Sequence, residues 1–173
     1  MIVRRETPAD VAAVRAVHSV AFPAPRPGEL PVEVGLLDAL RASDAWVPAL
    51  SLVACPSSGD GVVGHVVATK ATVAGRTALG LGPIGVVPDW QRQGVGSALM
   101  HAVLAAADAL EYPLVVLLGN PRFYRRFGFR PAAELGVRPP DPSWREAFQA
   151  RPLAAYTDDL RGEFCYAAPF NDL

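Results

Sequence analysis

The chain has 173 residues, 51% of them hydrophobic and 19% charged, with a formal net charge of −1. That length suits one domain over residues 1–173 with a buried core, and the near-zero charge excludes a general attraction to nucleic acid or acidic membranes, so any anion site must be local. The first residues lack the apolar stretch of a secretory signal, and no run reaches the ~18 apolar residues needed to span a bilayer, which together predict a cytoplasmic protein.

In chain order, Ile2 to Glu6 reads as a strand, and Thr7-Pro8-Ala9-Asp10 as a helix start with Thr7 as N-cap. Val11, Val14, Val17 and His18 follow at helical spacing. Prolines at 23, 25 and 27 make the next segment irregular. A second helix is predicted over 31–40, with Val32, Leu36, Leu37 and Leu40 as its apolar stripe. Trp46 to Ala54, Val62 to Ala74 and Thr77 to Val87 read as three strands of an antiparallel meander, separated by short glycine-containing turns. Val63, His65 and Val67 alternate onto one face. A long helix is expected over 94–111, with Val95, Leu99, Val103 and Leu110 inward, then a buried strand from Leu114 to Leu118. Strand, long helix and buried strand make a crossover, so Thr77–Val87 and Leu114–Leu118 should lie parallel. A short helix from Arg122 to Phe127, another from Ser143 to Gln149 and a last strand near 163–168 complete the reading. Cys55 and Cys165 fit no metal spacing and are expected as buried small hydrophobes, and no metal site is predicted.

Two glycine clusters compete for the role of anion cradle. Gly80-Leu81-Gly82-Pro83-Ile84-Gly85 matches G-x-G-x-x-G, the spacing of dinucleotide-binding loops. Such a loop must follow a strand and open a helix, whereas this one lies within a strand, and Pro83 donates no N–H. Its glycines are therefore expected at a bulge or at close approaches of other groups. Gln91-Arg92-Gln93-Gly94-Val95-Gly96 does follow a strand and opens the long helix, where unpaired N–H groups and the helix dipole favour a phosphate. Without Gly-Lys-Ser/Thr it is not a nucleoside-triphosphatase loop.

The run from Ile84 through Val87-Pro88-Asp89-Trp90-Gln91-Arg92-Gln93-Gly94-Val95-Gly96 to Leu99 resembles the acetyl-CoA motif of the GNAT superfamily of N-acetyltransferases. Phe123-Tyr124-Arg125-Arg126-Phe127-Gly128-Phe129 is similar to that superfamily's second cofactor motif, and Leu117-Leu118-Gly119-Asn120-Pro121 to its bacterial YhbS-like subgroup. The resemblance covers about residues 1 to 130. It implies an α/β (α+β) fold: a mixed, mostly antiparallel sheet of about six to seven strands with helices on both faces and a splayed parallel pair.

It also implies an N-acetyltransferase that moves an acetyl group from acetyl-CoA to a primary amine by direct attack in a ternary complex, without a metal. The backbone of Gly85, Val86 and Val87 would pair with pantetheine, and the Val86 N–H would polarise the thioester carbonyl. Gln93, Gly94, Val95, Gly96 and Ser97 would hold the pyrophosphate, flanked by Arg92, with Asn120, Phe123, Tyr124 and Phe127 completing the cofactor set. Tyr124 would be the general acid, its phenol of about pKa 10 suiting a thiol of about 8.5, although an aromatic packing role is its plain alternative. Glu33 and His65 are candidate bases, beside ordered water. A homodimer is the assembly this resemblance favours. A different acyl-CoA donor and a non-catalytic CoA-binding module stand as alternatives.

Overall fold

The protein is described from a computed structural model over residues 1–59 and 61–173. Strand β1 (Ile2–Arg5) runs into a 3-10 turn at Pro8–Asp10 and then helix α1 (Val11–Ala21). Thr7 stands at the N-cap, as expected. Its N–H and its hydroxyl both donate to Asp10 Oδ2, at 2.8 and 2.7 Å, while Arg4 grips the same carboxylate through two nitrogens at 2.7 and 2.8 Å. The guanidinium beside it holds the Asp10 carboxyl well below the usual carboxylate range. Helix α2 (Val32–Arg41) buries Val34, Leu36, Leu37 and Leu40. Val32, predicted inside, is instead exposed, because the inward stripe begins at Val34.

Strand β2 (Ser51–Cys55) is shorter than the predicted 46–54 strand: Pro48 lacks an N–H for a ladder and sets a 3-10 turn at Pro48–Leu50. Strands β3 (Gly64–Val73) and β4 (Arg76–Val86) form the expected hairpin. Helix α3 (Val95–Ala109) crosses back to β5 (Leu114–Leu118), which lies parallel to β4 as predicted, and Leu110 falls outside the helix and is exposed. Helix α4 (Pro121–Tyr124) continues as a 3-10 turn over Arg125–Phe127.

The last forty residues depart most from expectation. Asp141 accepts from the Ser143 N–H at 2.8 Å, which starts a turn over Pro142–Ala147, but Phe148 onward is strand rather than helix. Strand β8 (Phe148–Pro152) pairs with β5 along its whole length, from Leu118↔Phe148 to Leu114↔Pro152. The short β6 (Arg130–Pro131) pairs with β8, and β7 (Val137–Arg138) with β9 (Gly162–Cys165), which joins β3 at Thr72 and Val73. The described residues thus hold nine strands, ordered β1-β2-β3-β4-β5-β8-β6 with β7 and β9 beside β3, more than the six or seven anticipated. Most pairings are antiparallel, and β4–β5 is the parallel pair within the main path.

Helices cover both faces. On one, Leu99, Met100, Val103 and Leu104 of α3 pack on Leu52, Ala54, Val66 and Leu79. On the other, Val14 and Leu37 pack on Val53 and Val67. A fully buried leucine or valine contributes about 1.5–3 kcal/mol relative to exposure, so these two layers hold the sheet rigid beneath the site. Val63 belongs to the α3 layer, not to the face that His65 and Val67 present to α1.

Candidate active site

The site starts from a fault in the sheet. β4 and β5 pair at Leu79↔Val115 and Gly80↔Val116 only. Beyond that point β4 carries Gly82 at φ +143° and Pro83 opposite the single Val67 of β3, a bulge that shifts the register between Val66 and Ala68. β5 keeps its place beside β8, so a gap opens between Leu81–Val86 and the end of β5. The neighbouring glycines admit close contacts. A Cβ on Gly80 would sit 2.7 Å from the Tyr166 ring, and one on Gly85 3.1 Å from the His18 ring.

Strand parity decides which backbone groups face the gap. The Val87 N–H donates to the Val63 carbonyl at 2.9 Å, which turns Val87, and Gly85 two residues before it, toward β3. Ile84 and Val86 are the residues turned to the open side. Of the expected trio Gly85, Val86 and Val87, only Val86 offers its N–H there, because successive residues of a strand alternate in direction. The Val86 carbonyl accepts from Gln91 Nε2 at 3.0 Å, which ties the loop to the strand end.

Two cavities meet at this gap and share Phe22 and Ile84. The smaller, about 580 Å³, is bounded by Gly85, Val86, Arg92, Gly94, Gly96 and Ser97, and on its far side by Phe123 and Arg126. Arg92 (φ +59°) and Gly94 (φ +85°) both adopt left-handed conformations, which bend the loop so that α3 starts at Val95 with its first N–H groups free of intrahelical partners. Gln93 Nε2 donates to the Asp89 carbonyl at 2.6 Å and stiffens the same turn, while the Val95 side chain points into the core. Arg126 lies over the Phe123 ring at 4.7 Å. Two expected members stand elsewhere. Asn120 caps α4 by accepting from the Arg122 N–H at 3.0 Å, and Phe127 is buried against His101 and Phe123. Both are drawn away by local packing that the motif spacing does not reveal.

The larger cavity, about 730 Å³, holds Tyr124 and Glu33 on its lining, with Leu81, Gly82, Pro83 and Ile84 as its floor. The Tyr124 ring covers Gly119 and packs edge-on against Phe123 and Phe129, and burial pushes its phenol above the ordinary value. Sequence reasoning missed the aromatic part of this lining, formed by Trp144, Phe164, Tyr166 and Phe170. Burial raises the Tyr166 phenol, and the nearby Tyr124 raises it further. Cys165 also reaches this lining and is exposed, contrary to expectation, because strand alternation turns its neighbour Phe164 inward and Cys165 outward.

His65 reaches neither cavity. It is fully buried, with Nε2 at 2.9 Å from Ser51 Oγ and Nδ1 at 2.9 Å from His18 Nε2. The Ser51 hydroxyl donates in turn to Glu6, whose other oxygen accepts from Arg41 at 2.6 Å. Burial opposes the Glu6 charge, but hydrogen bonds from His65 and Ser51, with Arg41 beside them, hold its carboxyl at about 2. An ionised Glu6 assigns the protons: His65 donates from Nε2 and accepts at Nδ1 from His18, which leaves His18 Nδ1 without a hydrogen-bond partner among the described residues. Burial, and then His65, keep His18 neutral with a pKa near about 3, and burial also lowers that of His65. The pair is invisible in sequence, where 47 residues separate the two histidines. Among the described residues no cluster of three or more metal-ligating side chains occurs, and no helix is long and apolar enough to cross a membrane.

Comparison with known proteins matches residues 50–131 to the acetyltransferase (GNAT) domain. The chain is 32% identical over 164 residues to the uncharacterized N-acetyltransferase YhbS of Escherichia coli K12, covering 94% of this chain and 92% of that protein. The crystal structure of E. coli YhbS in complex with CoA superposes with a TM-score of 0.87 at 30% identity, over 98% of this chain and 91% of that one. A GNAT family acetyltransferase from Brucella melitensis in complex with acetyl-CoA gives 0.77 at 33% identity, over 98% and 97%.

Proposed function

The chain belongs to the GNAT acetyltransferase family, and we propose that it transfers the acetyl group of acetyl-CoA to a primary amine by direct attack in a ternary complex. The observation that carries the reading is the meeting of the two cavities at Ile84, where one side has a helix N-terminus fit for a diphosphate and the other a phenol and a carboxylate. Two similar proteins were solved with CoA or acetyl-CoA, which supports the same donor here. Residues 1–173 act as one acyltransferase unit. Its two free cysteines, Cys55 and Cys165, suit a reducing compartment and hence the cytoplasm.

In this mechanism Gly94, Gly96 and Ser97 present backbone N–H groups to the donor's diphosphate, with Arg92 and Arg126 supplying positive charge. Val86 aims its N–H at the thioester carbonyl, a donor worth about 3 kcal/mol when the oxygen becomes anionic. The amine nitrogen attacks the carbonyl carbon, a C–N bond forms and the C–S bond breaks. Glu33, directly or through water, takes the proton released by the amine. Tyr124 donates to the departing sulfur. Because burial raises its pKa, the phenol stays protonated across neutral pH and stabilises the thiolate first by hydrogen bonding. His65 is set aside as a direct base, since both of its ring nitrogens are engaged.

Replacing Tyr124 with Phe removes the donor and keeps the ring that packs on Phe123 and Phe129. Turnover in a thiol-release assay is expected to fall about 100-fold, with acetyl-CoA affinity unchanged. Unchanged turnover would end the assignment.

A further inference from the structure

The larger cavity carries information about the acceptor. Among its described lining residues Glu33 has the only charged side chain. In the same lining the four rings lock one another: Phe164 stands perpendicular to Tyr166 at 4.6 Å, Tyr166 lies 4.6 Å from Phe170, and Trp144 meets Tyr166 at 6.3 Å. Tyr166 is held in addition by its contact over Gly80. This wall is therefore in place before any ligand arrives, and it costs little ordering on binding. Phe22, Leu36 and Leu118 close the sides with further apolar surface.

We infer that the acceptor is a monoamine on an apolar, aromatic body, with its ammonium paired to Glu33 and its ring against Trp144, Tyr166 and Phe170. This rests on the acetyl-transfer reading above and narrows it. A polyamine would bring a second ammonium into a cavity whose one side-chain carboxylate is already engaged, and an unpaired charge removed from water is strongly disfavoured. An amino sugar would bring hydroxyls that the aromatic wall does not satisfy. A longer acyl chain would fit the rings but leave Glu33 facing hydrocarbon. Only a cationic group joined to a ring matches both the carboxylate and the aromatic rings of the lining.

The test is steady-state thiol release by the full chain with acetyl-CoA and a matched panel: 2-phenylethylamine, tryptamine, spermidine, glucosamine and a polar lysine peptide. The two arylalkylamines are expected to exceed the others in kcat/KM by tenfold or more. Glu33→Gln should raise their KM about tenfold, and Phe170→Leu by a smaller factor, while acetyl-CoA affinity stays constant. Preference for spermidine, glucosamine or the peptide overturns the acceptor class and leaves acetyl transfer standing. Octanoyl-CoA outcompeting acetyl-CoA, with arylamine KM indifferent to Glu33→Gln, overturns it by giving the cavity to an acyl chain. Failure of every amine in the panel to release thiol, despite bound acetyl-CoA, removes the acetyl-transfer reading and this inference together.

Discussion

At Gly80 an added methyl group would strike the Tyr166 ring at 2.7 Å, whereas at Gly94 it would meet no described atom within 4 Å. Gly80 has ordinary strand geometry and needs glycine for want of space, while Gly94, at φ +85°, needs it for backbone conformation and faces an open cavity. The two clusters lie within seventeen residues, 80 to 96, and both border the site. In β4, Gly80 and Gly85 let aromatic side chains of the protein itself close over the strand. In the loop the glycine leaves room that the protein does not fill. Empty space beside an unpaired helix N-terminus can receive a ligand. Filled space marks a wall.

The contrast is open to attack at three strengths. The largest effect is expected at the open end: Gly94→Glu places a negative charge where the diphosphate is assigned and should weaken acetyl-CoA binding by more than about 100-fold, measured by calorimetry. Its stability should fall by only about 1–2 kcal/mol for the left-handed backbone, because the side chain has room. Retained affinity would show that the loop is not the cradle.

At the closed end, Gly80→Ala should destabilise the protein by up to about 3 kcal/mol in a denaturant titration, through overpacking against the half-buried Tyr166 ring. Combining it with Tyr166→Leu should recover part of that loss. Strict additivity of the two substitutions would mean that the contact is not the cause.

The weakest lever is pH, acting on His18 over Gly85. Its folded pKa near about 3 lies below the unfolded value of 6.5, so below pH 6.5 the unfolded chain binds a proton that the folded chain refuses. Stability is complete above pH 6.5 and declines as pH falls, by about 2 kcal/mol at pH 5 from this group. The buried His65 acts in the same direction, and Glu6, lowered from 4.5 to about 2, adds its share only below pH 4.5. A denaturation midpoint flat from pH 7.5 to 5 would contradict the neutral buried pair. Replacing His18 with Phe should flatten the slope between pH 6.5 and 5.

Much of the strand-to-helix junction was legible in order along the chain. Val87-Pro88 ends a strand, Gln91–Gly96 is rich in glycine, and Val95, Leu99 and Val103 recur at helical spacing, so the glycine loop opening α3 was assignable from local pattern alone. The buried run Leu114–Leu118 and the crossover rule likewise fixed the parallel partner of β4. Local signals failed where geometry depends on distant chain. Strand direction alternates residue by residue, so the choice of Val86 over its neighbours needed the register against Val63. The two-residue strands β6 and β7 are too short to show any periodicity, and the segment 142–149 combined a helix-like start with a strand.

The sequence by itself therefore determined the family, the crossover and the glycine loop, all of which rest on residues within about 45 positions of one another. Tertiary structure alone decided the larger cavity. It brought Phe22 and Glu33 from the first helices, Tyr124 from α4 and four aromatic rings from residues 144–170 around one cavity, and it joined His18 to His65 beneath Gly85. The reason is physical. Helix starts and turns are encoded by neighbouring dihedral preferences, whereas a cavity wall is set by which distant surfaces pack, and apolar rings carry no mark in sequence of the partner they will meet.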